Sequence, residues 1–440
     1  MIIARYTLII LIFTRASLDL LLGQASLGEG GLTLGAGLNV VMLALGLAAL
    51  VSGYRPSLRI PALIWAPYLI IAVLSLSYTP DFSGGIRLFL STLTFPAMFV
   101  SAFALLKSEN DMIVFLRAIV YSSAIPVIYG IIQIVSGAAP DFRVNATFGH
   151  ANIFAFYIVA VLVAILYHNI FVANATSVIW RYGSRIYLIV LLALLVATQT
   201  RSAWIEVAFI SAAYAITVNR KLLLALPVVP LVLMVPQVSE RLTDLDTGNR
   251  ASIEQVTRGE VALNSYAWRR MLWDSALADS ANARMLGKGL GSFHHNVRYF
   301  FPLTQSEGEA HSGYIQAIYE LGTAGLIGYT WLYFGILVAA WRLRRASGAL
   351  SCLVMAFVVG NLIINYSDNL PYYLAYNWYA WALVGADLSW RLRKLRKTQP
   401  QTIRPTIGDA SASYPDGAGA SPAVRLRARP AAGSAWSSAE

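Results

Sequence analysis

Stretches of about twenty apolar residues, the length of helix that crosses the hydrocarbon core of a bilayer, recur along the whole chain. Inside hydrocarbon the backbone has no water to bond, so each such run must satisfy its own N–H and C=O groups by forming a helix. The runs fall at 4–23, 32–52, 60–78, 86–106, 112–136, 149–170, 185–200, 202–218, 221–238, 313–341, 348–366 and 372–391. They predict an all-α integral membrane protein of about 12 transmembrane helices, with limits uncertain by about 2–4 residues. Only 12% of the 440 residues are charged, against about 25% in a soluble domain. The first run carries Arg15 and Asp19 and lacks a convincing cleavage site, so it reads as an uncleaved span. The lone Cys352 excludes an intrachain disulfide and a cysteine-based metal site.

The net charge of +11 does not point to nucleic acid, because the basic residues cluster in short connections between the runs. Arg55 and Arg59, Lys107 and Arg117, Arg181 and Arg185, Arg220 and Lys221, Arg342 to Arg345, and the final RLRKLRK all fall on one face if the spans alternate. Lys and Arg stay on the cytoplasmic side, so both termini are expected there, in an inner membrane. The division that follows is 1–238 for helices one to nine, 239–312 for a large periplasmic loop, 313–391 for helices ten to twelve, and 392–440 for a basic, then disordered, cytoplasmic tail. A polar insertion as long as 239–312 is too long for an idle turn. It carries a helix, SYAWRRMLWDSALADS, with Trp268, Leu272, Trp273 and Leu277 expected along one face. No repeat is evident.

Polar residues at the loop face are the candidates for chemistry. His311 precedes an apolar helix, and a neutral imidazole there is suited to act as a base near pH 7. Glu307 and Glu309 beside it suit a wet helix N-terminus, where the dipole favours acids. Arg201 lies between two apolar runs with almost no loop, and Glu206 follows one turn later. Charge at membrane depth is by default a functional hypothesis, although an arginine snorkelling to the interface, paired with Glu206 or a headgroup, explains it equally. Arg269 and Arg270 lie on the loop helix between Trp268 and Trp273. Their guanidinium forks match phosphate oxygens, but a solvated basic helix face looks the same. Asn145, His150 and Asn152 enter the sixth run and suit either sugar binding or a helix cap. The glycine-rich GKGLGSF lacks the GKS or GKT of a nucleotide loop. His294, His295, His311 and the two acids do not meet a zinc spacing, so no metal and no cofactor are expected.

Taken in order, TQTRSAW, RRMLW, GKGLGSF and AHSGYIQAIYELGTAGL resemble the O-antigen ligase and bacterial polysaccharide polymerase superfamily, most specifically from Asn145 to Gly328. The resemblance implies a fold similar to the glycosyltransferase C class, and glycan transfer at the periplasmic face from an undecaprenyl-diphosphate-linked donor to a glycan or lipid-linked acceptor. By motif position it implies Arg201, Arg269 and His311 as catalytic residues, with Arg270 able to substitute for Arg269. Asn145, His150, Asn152, Tyr314 and Arg270 are the expected substrate-binding residues. Ser312 departs from the asparagine that many members carry after the histidine. Partners so implied are bilayer lipid, a flippase and a chain-length regulator. Polymerase and ligase share these motifs; polymerase of an exopolysaccharide or O-antigen is the reading preferred, with ligase as the alternative. A transporter of lipid-linked sugars is the alternative of another class. It would place charges near the bilayer midplane, whereas these charges lie at one face.

Overall fold

The computed structural model describes residues 2–24, 33–52, 55–172, 177–221, 253–258, 260, 263–304 and 308–398. Their regular elements are helices, with no strand among them. The elements are α1 (Ile2–Gln24), α2 (Leu34–Ser52), α3 (Arg55–Ser75), α4 (Phe82–Leu105), α5 (Glu109–Ser122), α6 (Ala124–Ser136), α7 (Ala151–Phe171), α8 (Val178–Ala197) and α9 (Arg201–Thr217). They continue as α10 (Ile253–Thr257), α11 (Ser265–Asp279), α12 (Ser292–Phe300), α13 (Gly313–Arg342), α14 (Gly348–Ile364) and α15 (Leu374–Thr398). Each apolar run expected from the sequence coincides with helix except the ninth, 221–238, whose body lies outside the described residues, as do the start of the loop, Glu307 and the tail from Gln399. Among the described residues, seven helical segments are long and apolar enough to cross a membrane: α2, α3 from Leu58, α4, α5 with α6, α7, α8 and α13.

The run at 112–136 is two helices meeting at Ser123. Pro126 has no N–H for the preceding turn, and the Ser122 and Ser123 hydroxyls bond Ile119 O and Val120 O instead. The same hydroxyls reach Tyr157 and Tyr187 at 2.7 and 2.6 Å, which fixes the joint to α7 and α8. Helix starts are capped by side chains: Asp81 for α4, Ser108 in a capping box with Asp111 for α5, Asn264 for α11 and Ser312 for α13. A helix apolar all round belongs in the interior, and α7 is buried along most of its length. It packs on α5, α9, α14 and α15. The α15–α4 contact is close because Gly385 faces the Phe99 carbonyl, where a Cβ would lie 2.3 Å from the oxygen.

One end of this bundle gathers the connections that matter for function. Thr147 bonds Ala16 O of α1 at 2.7 Å, Val144 N bonds Ala197 O of α8 at 3.2 Å, and Thr79 bonds Leu290 O at 2.8 Å. On this loop face α11 and α12 build a second small core, with Leu272, Ala276, Phe293, Val297, Phe301 and Ala310 packed on Tyr319 of α13. Leu277, expected on the apolar face of α11, is 40% exposed, and Ala276 faces inward in its place.

The glycine-rich loop has a structural task. Helix α13 is broken at Gly322, whose φ of +67° and ψ of −166° are not helical. The break orphans carbonyls before it and N–H groups after it, and segment 284–289 supplies the missing partners. Lys288 N and Gly289 N donate to Tyr319 O and Glu320 O at 2.9 and 2.8 Å, while Thr323 N and Ala324 N donate to Arg284 O and Met285 O at 2.8 and 3.1 Å. Main chain lies against main chain here: a Cβ at Gly287 or Gly322 would stand 2.4 Å from a carbonyl of the other segment. Of the three glycines spaced at 322, 325 and 328, Gly322 therefore serves the break. Gly328 serves close helix packing, its missing Cβ lying 3.2 Å from the Tyr68 Cα of α3. Gly325 faces only Leu321 of its own helix.

Candidate functional site

The site forms where the starts of α7, α9 and α13 meet α11 and the connection 365–373. Asp368 is at its centre and is fully buried. Its carboxylate accepts from Asn152 Nδ2 at 2.7 Å and Tyr373 OH at 3.2 Å on one oxygen, and from the Ser202 hydroxyl on the other. Asn152 turns its carbonyl oxygen the other way, accepting from Arg143 Nη2 at 2.6 Å and Thr200 Oγ1 at 3.2 Å. Arg143 also donates to Thr198 O at 2.9 Å. The connections after α6, α8 and α14 are thus fastened by one polar net.

Arg201 opens α9 between Thr200 and Ser202, two members of that net. Glu206, one turn deeper, is 1% exposed, and neither of its carboxylate oxygens has a hydrogen-bond partner in the structure. An Arg201–Glu206 hydrogen bond, considered from the sequence, is therefore not made. On α11 the two adjacent arginines separate. Arg269 is partly buried, and its charge acts on His150, His311 and Asp368. Arg270 is exposed, a helical step of about 100° turning it away from that group.

Burial shifts the titrating groups around Arg269. It pushes Asp368 up, opposed by Arg269 and by the hydroxyl and amide donors. It lowers His150, with Arg143 and Arg269 adding repulsion. His311 falls to about 4, through burial first and then the positive charge of Arg269 and His150. The imidazole is therefore neutral at pH 7. Its backbone is left-handed, at φ +50°, a conformation rare for a side chain with a Cβ and one that recurs at functional sites. The Trp268 ring stands edge-on, 5.7 Å from the His311 ring.

Other expected site residues have different employment. Asn145 is spent on the fold, accepting from Gln133 Nε2 at 2.8 Å and donating to Phe148 O at 2.9 Å. Tyr314 donates to Leu362 O of α14. His150 caps α7, its Nδ1 accepting from Asn152 N at 3.1 Å, so its proton sits on Nε2. Glu309 does not pair with His311 but accepts from Asn369 at 3.4 Å. Burial raises it to about 7 against the pull of Asn369 and His294. Asp368, Arg143, Thr200 and Ser202 were not singled out from the sequence. The available signal for Asp368 was an acid in a short connection between apolar runs on the face that carries His311. Among the described residues no group of three or more His, Cys, Asp or Glu side chains is placed to hold a metal ion.

The fold and site define a multi-helix membrane protein with arginines, a neutral histidine and a buried carboxylate collected at the end that bears its loop. Residues 186–330 match the family model described as O-antigen ligase. The match takes in Arg201, Arg269, the glycine-rich clamp and His311, and it bears out the resemblance to the O-antigen ligase and polymerase superfamily, whose members are glycosyltransferase-like enzymes. No curated protein matches the chain.

Proposed function

We propose that the protein transfers glycan from an undecaprenyl-diphosphate-linked oligosaccharide to an acceptor hydroxyl at the periplasmic face of the inner membrane, as a polymerase of an exopolysaccharide or O-antigen. The observation that carries this reading is the grouping of Arg269, His311 and the Asn152–Asp368 net beside the start of α9, where Arg201 lies. In the reaction the acceptor oxygen attacks the anomeric carbon. The bond from that carbon to the phosphate oxygen breaks, and undecaprenyl diphosphate leaves with the electron pair. Arginines fixed near the leaving group stabilise its growing charge, and bidentate guanidinium forks suit phosphate better than ammonium does. His311 accepts the hydroxyl proton. Asp368 offsets the positive charge of Arg269 and holds Asn152 and Ser202 in place.

The test is purified protein in proteoliposomes with a lipid-linked repeat unit, resolved by gel. Growth of carrier-linked ladders supports the polymerase; transfer only when a lipid A core is supplied supports the ligase. No transfer to either, with lipid-linked sugar crossing the bilayer instead, overturns the enzyme reading in favour of a transporter. Transfer that persists in excess chelator is expected if arginine, not a divalent cation, stabilises the leaving group.

A further inference from the structure

His311 is strained, and the structure shows what holds it. The residue before it is clamped from both sides: Ala310 N donates to Gln316 Oε1 at 3.0 Å, and Ala310 O accepts from Trp273 Nε1 of α11 at 2.7 Å. After it, Ser312 caps α13 and Gly313 N is shared between Asn365 O and Asp368 O at 2.9 and 3.1 Å. A left-handed non-glycine residue persists only where its surroundings over-determine it.

The Gln316 amide is the one clamp that is a side chain of α13 itself, and its orientation is dictated. Its Nε2 donates to Glu320 Oε1 at 2.6 Å and to Tyr372 OH at 2.9 Å, which leaves Oε1 facing Ala310 N and Asn369 Nδ2, the latter at 3.2 Å. Glu320 is fixed in turn by Tyr372 OH at 3.0 Å and by Phe293 N, at the start of α12, at 3.4 Å. Gln316 and Glu320 are 3% and 2% exposed, so nothing in solvent replaces these bonds. Glu320 Oε1, accepting from Nε2, turns the amide at 316 so that its oxygen meets Ala310 N, and that oxygen sets the backbone of the histidine.

We propose that Gln316 is a positioning residue for His311, its amide turned by Glu320 so that Oε1 holds the Ala310 N–H and thereby the left-handed backbone of the base. This rests on the reading of His311 as the proton acceptor. It accounts for an otherwise unexplained polar pair inside an apolar helix: Gln316 and Glu320 together transmit the seating of α12 to the residue that takes the proton.

The experiment uses the full-length protein in proteoliposomes, with Gln316→Leu and Gln316→Glu. Gln316→Leu removes all four side-chain hydrogen bonds at similar volume. It is expected to lower kcat at least 10-fold with the donor KM within about 2-fold, in protein that folds to the same extent. Gln316→Glu keeps the acceptor for Ala310 N but donates to Glu320 only when a proton is shared between the two carboxyls. The groups facing that position are Glu320 on the same helix, Tyr372 and, through Asn369, Glu309, with Tyr68 of α3 lining the same cavity. Its kcat should therefore fall more steeply as pH rises than that of the wild type, and recover toward the wild type in acid. A second readout does not depend on activity: the rate of His311 carbethoxylation, followed by mass spectrometry against His295, should change at least 3-fold in Gln316→Leu. Unchanged His311 reactivity, or a Gln316→Leu kcat within 2-fold of wild type, overturns the proposal. Wild-type protein inactive with every lipid-linked donor, but with His311 reactivity altered in the variant, refutes the glycan-transfer reading and leaves the positioning role standing.

Discussion

Asn152 and Asp368 stand 216 residues apart in the chain and are joined by a 2.7 Å hydrogen bond at the start of α7. The bond has a fixed polarity, because the Asn152 amide must donate to Asp368 in order to offer its oxygen to Arg143 and Thr200. Asp368→Asn would place an amide where three donors converge. The expected outcome is a loss of about 1–3 kcal/mol of stability from unmatched buried groups, together with at least a 10²-fold loss of transfer. Thermal unfolding and turnover, measured on the same preparation, check both. Turnover within 3-fold of wild type would remove Asp368 from the site.

The two arginines of α11 should separate on assay. Arg269→Ala is expected to abolish transfer and Arg269→Lys to restore little, since a point charge does not reproduce the fork. Arg270→Ala, at an exposed position, should stay within about 3-fold of wild type, in line with other surface substitutions. Equal losses in Arg269→Ala and Arg270→Ala would contradict the geometry.

His311 separates stability from activity. A glycine tolerates φ +50° without the cost that a Cβ incurs there. His311→Gly should therefore unfold at the same temperature as wild type or higher, while transfer falls about 10²-fold or more for want of a base. His311→Ala loses the same activity without the relief of strain. Melting curves and single-turnover rates for the pair decide the matter; a His311→Gly protein that is both unstable and inactive would count against strain at this residue.

The pH dependence has two opposed parts. His311, lowered to about 4, binds fewer protons folded than unfolded, so its contribution to stability is present above about 6.5 and is lost as pH falls toward 4. Glu309, raised to about 7, behaves oppositely: its contribution is present below about 4.5 and is lost as pH rises through 7. Glu309→Gln should unmask the histidine, so that stability falls more steeply between pH 6.5 and 4 than in wild type. In kcat/KM, the acid limb of His311 should lie near pH 4, and any limb near pH 7 should vanish in Glu309→Gln. A single limb at 6.5 in both proteins would show an ordinary, solvated histidine.

Far from the loop face, Asp387 and Arg391 form an ion pair with neither side chain exposed. Tyr167 OH donates to Asp387 at 2.9 Å, and Arg391 reaches Ala340 O and Ser351, so one turn of α15 holds α7, α13 and α14. Asp387→Ala leaves a buried cation without its partner, and a loss of about 3–5 kcal/mol is expected. Asp387→Leu combined with Arg391→Met should recover most of it, as seen by yield of folded protein and by melting temperature.

The sequence made the helices legible because apolar runs of bilayer length have one solution in hydrocarbon. It singled out Arg201, Arg269 and His311 because they lie in ordered motifs. It did not reveal Asp368 or Arg143, since a carboxylate is recognised by the donors around it, and those come from α7, α9 and the connection before α15, which no local pattern brings together. Asn145 and Tyr314 looked available for the same reason: a polar side chain near a span mouth shows nothing of the backbone or amide group that already occupies it. GKGLGSF was readable as a turn but not as a clamp, because its partners are the carbonyls and N–H groups exposed by a break at Gly322.

That clamp is made of main chain on main chain, and main-chain recognition is indifferent to side chains except where a Cβ would intrude. The loop is thereby registered to α13 chiefly at Gly287 and Gly322, and to the α3–α4 connection at Gly289, where a Cβ would meet Thr79. Within 284–289 the exposed side chains of Met285 and Leu286 are released from the duty of holding the loop in place. Those two positions are free to vary in chemistry while the histidine at 311 keeps its address.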